Sequence, residues 1–419
     1  MRRLAGAVAT LVAAAVLLPA AVAPAPAAQA NDVADLQYWL DEYGIRQAWQ
    51  TTRGAGVTIA VIDTGIDSSH PDLQGAVTGG ADFSGIGGSD GQSPVGSDGS
   101  GHGTLVGSLA AGRGVDSEDA GPGVIGSAPA ASLLSISIGF GEGDQDSDTQ
   151  IAEAVRWAVD NGADVINMSL TRNTRDWPVS WDDAFLYAAE NDVVVVAAAG
   201  NRGSGTVEVG APATMPGVLT VGGVDRSGRA SFDASSQGLT IAVTAPSEEL
   251  VGAVPGGTRA TWSGTSGASP IVAGIVALVR AAHPELDVAN VINRITATAR
   301  DVGDPGADVL YGFGLVDAAA AVSATVPAVE ANPMGDLADW VQLYRRADVD
   351  TGDAAAPGIA PQAPAGPPEP WTPIGVLLPA SADLRLVGIP ALAIVVLLGL
   401  TAAVITGVAR GFNRTSRKR

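Results

Sequence analysis

The chain has 419 residues, and its 46% hydrophobic and 16% charged residues exclude both an intrinsically disordered protein and a coiled coil. Its formal net charge of −21 predicts a surface that repels polyanions, so we expect no nucleic-acid partner. Because the sequence contains no cysteine, it excludes disulfides, thiolate metal sites and thiol nucleophiles.

The first 30 residues have the three parts of a secretory signal peptide. Arg2 and Arg3 give a positive start, residues 4–18 are apolar, and Ala-Gln-Ala at 28–30 is a small-x-small cleavage site. An uncleaved membrane anchor is the alternative that these residues leave open. We predict a signal peptide over 1–30 and an extension over 31–54, which either wraps the following domain or covers its functional cleft.

Residues 55–322 alternate between strand and helix patterns. Runs rich in β-branched residues predict strands at 57–62, 133–138, 165–168, 193–198 and 218–221. Apolar residues at helical spacing predict helices at 151–159 and 288–295, the second capped by Asp287. The run at 193–198 is apolar without alternation, as in a sheet covered on both faces. This pattern predicts an α/β fold with a doubly wound parallel sheet.

Polar residues stand where strands end and helices begin. Asp63 follows the first predicted strand and Asn201 the fourth, while His102 and Ser266 each stand at the start of an apolar helix. Ligands of such sheets bind beyond the carboxyl ends of the strands. We therefore predict that these four residues converge on one cleft.

The same four residues are the groups that nucleophilic catalysis by a serine requires. A serine hydroxyl needs an adjacent base, and the base needs an acid that orients it. Ser266 lies at the start of a helix that is apolar on all sides, and Pro270 is expected in the first turn of that helix. Asn201 could donate a hydrogen bond to an oxyanion. Taken singly, Asp63 and Asn201 could be turn residues and Ser266 an ordinary helix cap.

Three motifs in this order resemble the catalytic signatures of the subtilisin-like serine proteases: VIDTGID around Asp63, GHGT around His102 and GTSGASP around Ser266. The resemblance implies a triad in which Asp63 orients His102, His102 is the general base and Ser266 attacks the peptide carbonyl. It also implies an oxyanion hole formed by Asn201 and the Ser266 N–H. The implied substrate-binding residues are Ser169, Leu170, Thr171, Ala198, Ala199 and Gly200.

The chain departs from this family at three positions. Gly267 replaces a bulky residue after the serine, Ile271 replaces a histidine, and Thr171 replaces a glycine at a wall of the substrate pocket. These changes leave the triad residues in place. They leave the substrate preference open.

Three aspartates, Asp144, Asp146 and Asp148, alternate in an acidic stretch before the predicted helix at 151–159. Carboxylates at this spacing can present oxygen atoms to calcium, which some subtilases bind. We adopt the alternative of a solvated acidic loop with Asp148 as the helix cap. We therefore expect no metal site and no required cofactor.

The C-terminal part predicts a tethered protein. Residues 323–385 form a proline-rich linker, with eight prolines between 351 and 380. Residues 386–409 predict a transmembrane helix, because no charged residue occurs between 387 and 409. The tail at 410–419 carries five cations and is therefore predicted to be cytoplasmic. We expect a single-pass protein whose body at 55–322 lies outside the cell membrane.

This layout resembles the mycosins, the membrane-anchored subtilases associated with type VII secretion. The resemblance implies a serine endopeptidase that cleaves proteins or peptides outside the membrane, with a type VII secretion membrane complex as its partner. Two alternatives stay open. One is a mainly structural component of a secretion complex with minor catalysis, and the other is a general surface subtilase.

Overall fold

The computed structural model describes residues 30–96, 101–114, 123–141 and 145–345. Residues 1–29 of the predicted signal peptide, the transmembrane helix at 386–409 and the tail at 410–419 lie outside this part of the chain. So do residues 346–385 of the predicted linker. These four predictions therefore stay predictions.

The described residues form nine strands and ten α-helices. The strands are β1 Thr58–Asp63, β2 Val77–Asp82, β3 Ser132–Ser137, β4 Val165–Met168, β5 Val194–Ala198, β6 Leu219–Val224, β7 Ile241–Pro246, β8 Leu250–Val254 and β9 Thr258–Trp262. The helices are α1 Ala30–Leu36, α2 Trp39–Glu42, α3 Ile45–Ala48, α4 His102–Ala111, α5 Ser147–Asp160, α6 Val179–Glu190, α7 Thr265–Ala282, α8 Val288–Ala297, α9 Ala318–Ser323 and α10 Leu337–Tyr344.

Seven strands form one sheet in the order β2-β3-β1-β4-β5-β6-β7, and every neighbouring pair is parallel. This confirms the predicted α/β fold with a parallel sheet. The five predicted strands correspond to β1, β3, β4, β5 and β6. The strand β2 was not predicted, because its sequence Val-Thr-Gly-Gly-Ala-Asp contains two glycines, which have weak strand propensity. The strand β7 and the antiparallel hairpin β8–β9 were also missed.

Helices cover both faces of the sheet. The core on one face includes α4, α7, α8 and α9, and the core on the other includes α5 and α6. Among the described residues, α7 is the one helix long and apolar enough to cross a membrane, but 83% of its apolar window is buried inside the protein. We therefore assign α7 as a core helix. Its position brings the N-terminal end of α7, and with it Ser266, against the carboxyl ends of β4 and β5.

The extension before β1 wraps the body, which resolves the alternative left open by the sequence. Trp39 and Leu40 are fully buried and belong to the core on the α7 face. The Tyr38 hydroxyl donates to the Glu248 carbonyl at 2.9 Å, and Trp49 Nε1 donates to the Ser127 carbonyl at 2.8 Å. Burial of large aromatic side chains makes this segment an integral part of the domain.

The folded body also extends beyond residue 322. Residues 323–345 were predicted as linker, yet α10 packs against α6, with the rings of Trp340 and Trp177 4.5 Å apart. Arg345 Nε donates to the buried carboxylate of Asp182 at 2.8 Å. The sequence carries a signal for this helix, because Asp336 caps it and apolar residues follow at helical spacing: Leu337, Trp340, Val341 and Tyr344.

Candidate active site

Asp63 and His102 meet at the carboxyl edge of the sheet. Asp63 is the last residue of β1 and is fully buried, and His102 is the first residue of α4. His102 Nδ1 lies 2.9 Å from both carboxylate oxygens of Asp63. Because a carboxylate only accepts hydrogen bonds, the ring proton must be on Nδ1. In the neutral ring, Nε2 then carries the lone pair that can accept a proton.

Short hydrogen bonds hold this pair in place. The Thr64 N–H donates to Asp63 Oδ1 at 2.7 Å, and Thr64 Oγ1 accepts from the Gly103 N–H at 2.9 Å. A Cβ atom at Gly103 would lie 2.4 Å from the Gly65 carbonyl oxygen. The close approach of α4 to the end of β1 therefore requires glycine at position 103.

Ser266 is the second residue of α7 and is half-buried. Its Oγ donates to the Ser169 carbonyl at 3.2 Å. Trp262 lies beside His102, and its indole contacts the imidazole edge to face at 5.7 Å between ring centroids. A Cβ at Gly267, next to Ser266, would lie 3.3 Å from the same indole. Trp262 therefore contacts His102 and lies beside the residue that follows Ser266.

The prediction that Pro270 lies in the first turn of its helix is wrong. The helix begins at Thr265, so Pro270 is its sixth residue. Proline has no N–H to donate to the carbonyl four residues earlier, which belongs to Ser266. That carbonyl instead accepts from Ser169 Oγ at 2.9 Å. Because this carbonyl bonds to Ser169 and not to a helical N–H, the turn that carries Ser266 is attached to the end of β4.

A chain of buried polar groups extends this contact. Ser269 Oγ donates to Asn167 Oδ1 at 2.7 Å, and Asn167 Nδ2 donates to Ser169 Oγ at 3.0 Å. Asn167 and Ser269 are fully buried. Neither residue was predicted from the sequence, since a buried asparagine in a strand is recognisable as a positioning group only when its partners are known.

The side chain of Asn201 has one defined orientation. Its Oδ1 accepts from the Thr265 N–H at 2.8 Å and from Thr265 Oγ1 at 3.0 Å. Because an N–H can only donate, the atom facing it must be oxygen, which assigns the other amide atom as Nδ2. This donor lies 3.2 Å from where a Cβ at Gly264 would be, beside the backbone that leads into α7. Thr265 was not among the predicted site residues.

The six predicted substrate-binding residues lie on two neighbouring segments. Ser169, Leu170 and Thr171 follow β4, and residues 198–200 end and follow β5, which pairs with β4 in parallel. Thr171 is half-buried and the other five are buried. The structure therefore brings all ten predicted site residues to one edge of the sheet.

Gly267 follows Ser266 at a position where the family usually has a bulky residue, and other side chains already fill the space that a bulky residue would need. A Cβ at this position would lie 2.3 Å from Leu250 Cδ1, a fully buried side chain of β8. Leu250 and Trp262 belong to the same hairpin and together occupy the room of a bulky side chain. The β8–β9 hairpin, which was not predicted from the sequence, thus explains the glycine at position 267.

A buried ion pair supports this hairpin. Arg259 Nε and Nη2 donate to the two carboxylate oxygens of Asp72 at 2.6 and 2.7 Å, and both side chains are at least nine-tenths buried. Its hydrogen bonds to the Asp72 carboxylate raise the pKa of Arg259 above its ordinary value. Two complementary hydrogen bonds compensate the cost of burying the charges, so β9 is held firmly beside His102.

Two of the three aspartates considered for calcium have other partners. The Asp146 carboxylate accepts from the Thr149 hydroxyl and N–H, which lowers the pKa of Asp146. Asp146 therefore caps α5, and the prediction of Asp148 as the cap is wrong. Asp148 pairs with Arg172 instead, and Asp144 lies outside the described residues. Within the described ranges no group of three possible metal ligands occurs.

Comparison with known proteins gives one family. The model of the subtilase family, peptidase S8, matches residues 54–314. The chain is 39% identical over 275 residues to subtilisin DY of Bacillus licheniformis, which covers 65% of this chain and 93% of that protein.

Solved structures give the same fold. The crystal structure of MycP1 from Mycobacterium smegmatis matches with a TM-score of 0.59 and 31% identity, over 71% of this chain and 86% of that one. The MycP3 protease from the type VII (ESX-3) secretion system matches with a TM-score of 0.58 and 31% identity, over 69% of this chain and 88% of that one.

Proposed function

The chain belongs to the subtilase family of serine endopeptidases, and from this premise we propose that Asp63, His102 and Ser266 are its catalytic triad. The observation that carries the assignment is the position of His102 Nδ1, within 2.9 Å of both oxygens of the buried Asp63. This contact leaves Nε2 free of a proton in the neutral ring, as a general base requires.

In the first half of the reaction, Ser266 Oγ attacks the peptide carbonyl carbon while His102 Nε2 takes the hydroxyl proton. Asn201 Nδ2 and the Ser266 N–H donate to the oxyanion that forms. The imidazolium, stabilised by Asp63, then gives its proton to the leaving amine, and the C–N bond breaks. Ser266 must first turn its hydroxyl from the Ser169 carbonyl towards the imidazole, a rotation about one side-chain bond.

In the second half, water attacks the acyl-enzyme and His102 takes one of its protons. The tetrahedral intermediate expels Ser266 Oγ, which recovers a proton from the imidazolium. The products are a carboxylic acid and the free serine. No step needs a bound metal ion, and the residues named here supply every proton transfer.

Changing Ser266 to alanine should abolish cleavage, because the attacking oxygen is lost. We expect wild-type full-length protein in mild detergent to convert an unfolded protein into peptides, and Ser266→Ala to produce none above background. Ser323→Ala, an exposed serine at the end of α9, is the matched control and should cleave as the wild type does. Equal cleavage by Ser266→Ala and the wild type would contradict the assignment.

We further propose that the protein is anchored in the cell membrane with its catalytic domain outside. The support is the uncharged stretch at 387–409, followed by a strongly basic tail. The absence of cysteine allows a clean test, since an introduced cysteine is the only thiol of the chain that a maleimide can label. In intact cells, a membrane-impermeant maleimide should label Ser323→Cys and not Ser416→Cys. Labelling of Ser416→Cys before lysis would contradict this topology.

The proposed setting is type VII secretion. Its support is the similarity to MycP1 and MycP3 in structure, together with the predicted order of signal peptide, catalytic domain, linker and anchor. In cells that lack the chain, we expect the wild type and not Ser266→Ala to restore export of type VII substrates. Full restoration by Ser266→Ala would instead favour a mainly structural component, and unchanged export in cells lacking the chain would favour a general surface protease.

A further inference from the structure

The two segments that leave β4 and β5 lie side by side next to Ser266, and the space between them is called the crevice below. The strands are paired through Met168 and Ala197, so the segments that follow them start side by side. Ser169 on one segment contacts the Ser266 carbonyl at 2.9 Å. On the other, the Gly200 N–H donates to Thr265 Oγ1 at 3.1 Å. A substrate side chain next to a bond attacked by Ser266 therefore enters between them.

The far end of this crevice is closed by backbone hydrogen bonds. The Arg172 N–H donates to the Ala211 carbonyl at 2.8 Å, and the Ala211 N–H donates to the Thr174 carbonyl at 2.9 Å. These hydrogen bonds hold the segment after β4 against residues 210–211. The crevice therefore ends within a few residues of the nucleophile.

At the closure the two segments approach so closely that position 210 must be glycine. A Cβ at Gly210 would lie 1.8 Å from the Arg172 carbonyl oxygen and 2.7 Å from Thr171 Oγ1. The Thr171 hydroxyl itself donates to that carbonyl at 3.0 Å. The two walls are thus in contact, and the groups at the contact are polar. A large apolar side chain pushed against them would clash and would also remove a carbonyl and a hydroxyl from their partners.

The wall on the β5 side sets no further limit, because Ala198, Ala199 and Gly200 carry at most a methyl group. Residue 171 is therefore the position whose side chain decides the depth of the crevice. A glycine at position 171 would make the crevice deeper, because it has no hydroxyl or methyl group to fill the space.

We propose that Thr171 and the Arg172 carbonyl restrict the residue on the amino side of the scissile bond to glycine, alanine or serine. This rests on the proposed function, since it assumes that Ser266 attacks the substrate. It adds a substrate class: segments with small side chains at the cleaved position, and not the large apolar residues that an open pocket would take.

Two peptide diphenyl phosphonates that differ only in their terminal analogue, alanine or phenylalanine, test the crevice without knowledge of the natural substrate. Both react with an activated serine, and the terminal side chain must enter the crevice. With full-length protein in mild detergent, we expect the alanine compound to inactivate at least about tenfold faster, a typical discrimination by pocket size. Equal rates, or a faster reaction of the phenylalanine compound, would overturn the proposal.

The variant Thr171→Gly should raise the rate of the phenylalanine compound relative to the alanine compound by about tenfold. Thr51→Gly, on the exposed end of the N-terminal extension, should leave that ratio unchanged. A small fluorophosphonate that does not fill the crevice should label all three proteins. If Thr171→Gly does not fold, the ratio for the wild type alone still decides.

The same labelling separates the two possible failures. Labelling by the small probe together with a preference for phenylalanine overturns the crevice proposal and leaves the protease assignment standing. Failure of every probe on folded wild-type protein overturns both.

Discussion

Asp63→Asn is expected to lower kcat for peptide hydrolysis by about 10⁴-fold, with KM nearly unchanged. An asparagine amide can present its NH₂ group to His102 Nδ1, which then becomes the acceptor and moves the ring proton to Nε2. A protonated Nε2 cannot take the proton of Ser266 Oγ. The shape of the side chain is conserved, so the loss would come from the wrong tautomer rather than from a changed fold.

The measurement is a steady-state assay with a peptide substrate, supported by the melting temperature of each variant. Asp67→Asn is the control, since Asp67 lies four residues further along and its carboxylate accepts from Ser69 Oγ and from the Gly256 N–H. Its kcat should stay close to that of the wild type. A loss of less than about tenfold in folded Asp63→Asn would show that Asp63 does not orient the base.

Removing the donor of the oxyanion hole gives the second large effect. Asn201→Ala is expected to lower kcat by about 10²- to 10³-fold, the usual result of deleting one such donor. Asn201→Asp is the sharper variant. Its carboxylate can still accept from the Thr265 N–H, as Asn201 Oδ1 does at 2.8 Å, but it presents an acceptor where Nδ2 donated. Repulsion of the oxyanion should make its loss at least as large as that of alanine.

Both variants are compared with Asn161→Ala, whose amide donates to the Trp157 carbonyl at an exposed helix end. The loss should appear in kcat, since the oxyanion exists only after Ser266 has attacked. A rise in KM at constant kcat would mean that Asn201 binds the substrate instead. A wild-type kcat in Asn201→Asp would show that Asn201 does not donate to the oxyanion.

The sequence predicts the parallel sheet well, for a physical reason. Buried parallel strands are continuous apolar runs, and Asp63 and Asn201 stand out because they end such runs where carbon side chains are expected. The cap of α8 is confirmed in the same way, since Asp287 accepts from the Asn290 N–H at 2.9 Å. These are local signals.

What the sequence does not predict depends on distant partners. Thr265 orients Asn201 across 64 positions of the chain, and Ser269 bonds to Asn167 across 102. No periodicity connects such pairs. The wrong prediction for Pro270 has the same origin. The Ser266 carbonyl, which lacks a helical donor, accepts a hydrogen bond from Ser169, a residue distant in the chain. This donor satisfies the carbonyl that proline leaves without its helical N–H and so lowers the cost of proline inside α7.

The most direct test of the account is the reaction of a fluorophosphonate with the full-length protein, followed by mass spectrometry of its peptides. The probe forms a bond with a serine only where a base activates it. We predict one adduct, on Ser266, which is absent from Ser266→Ala and from His102→Ala. An adduct on another serine, or no adduct on folded wild-type protein, would contradict the assignment of Ser266 as the nucleophile.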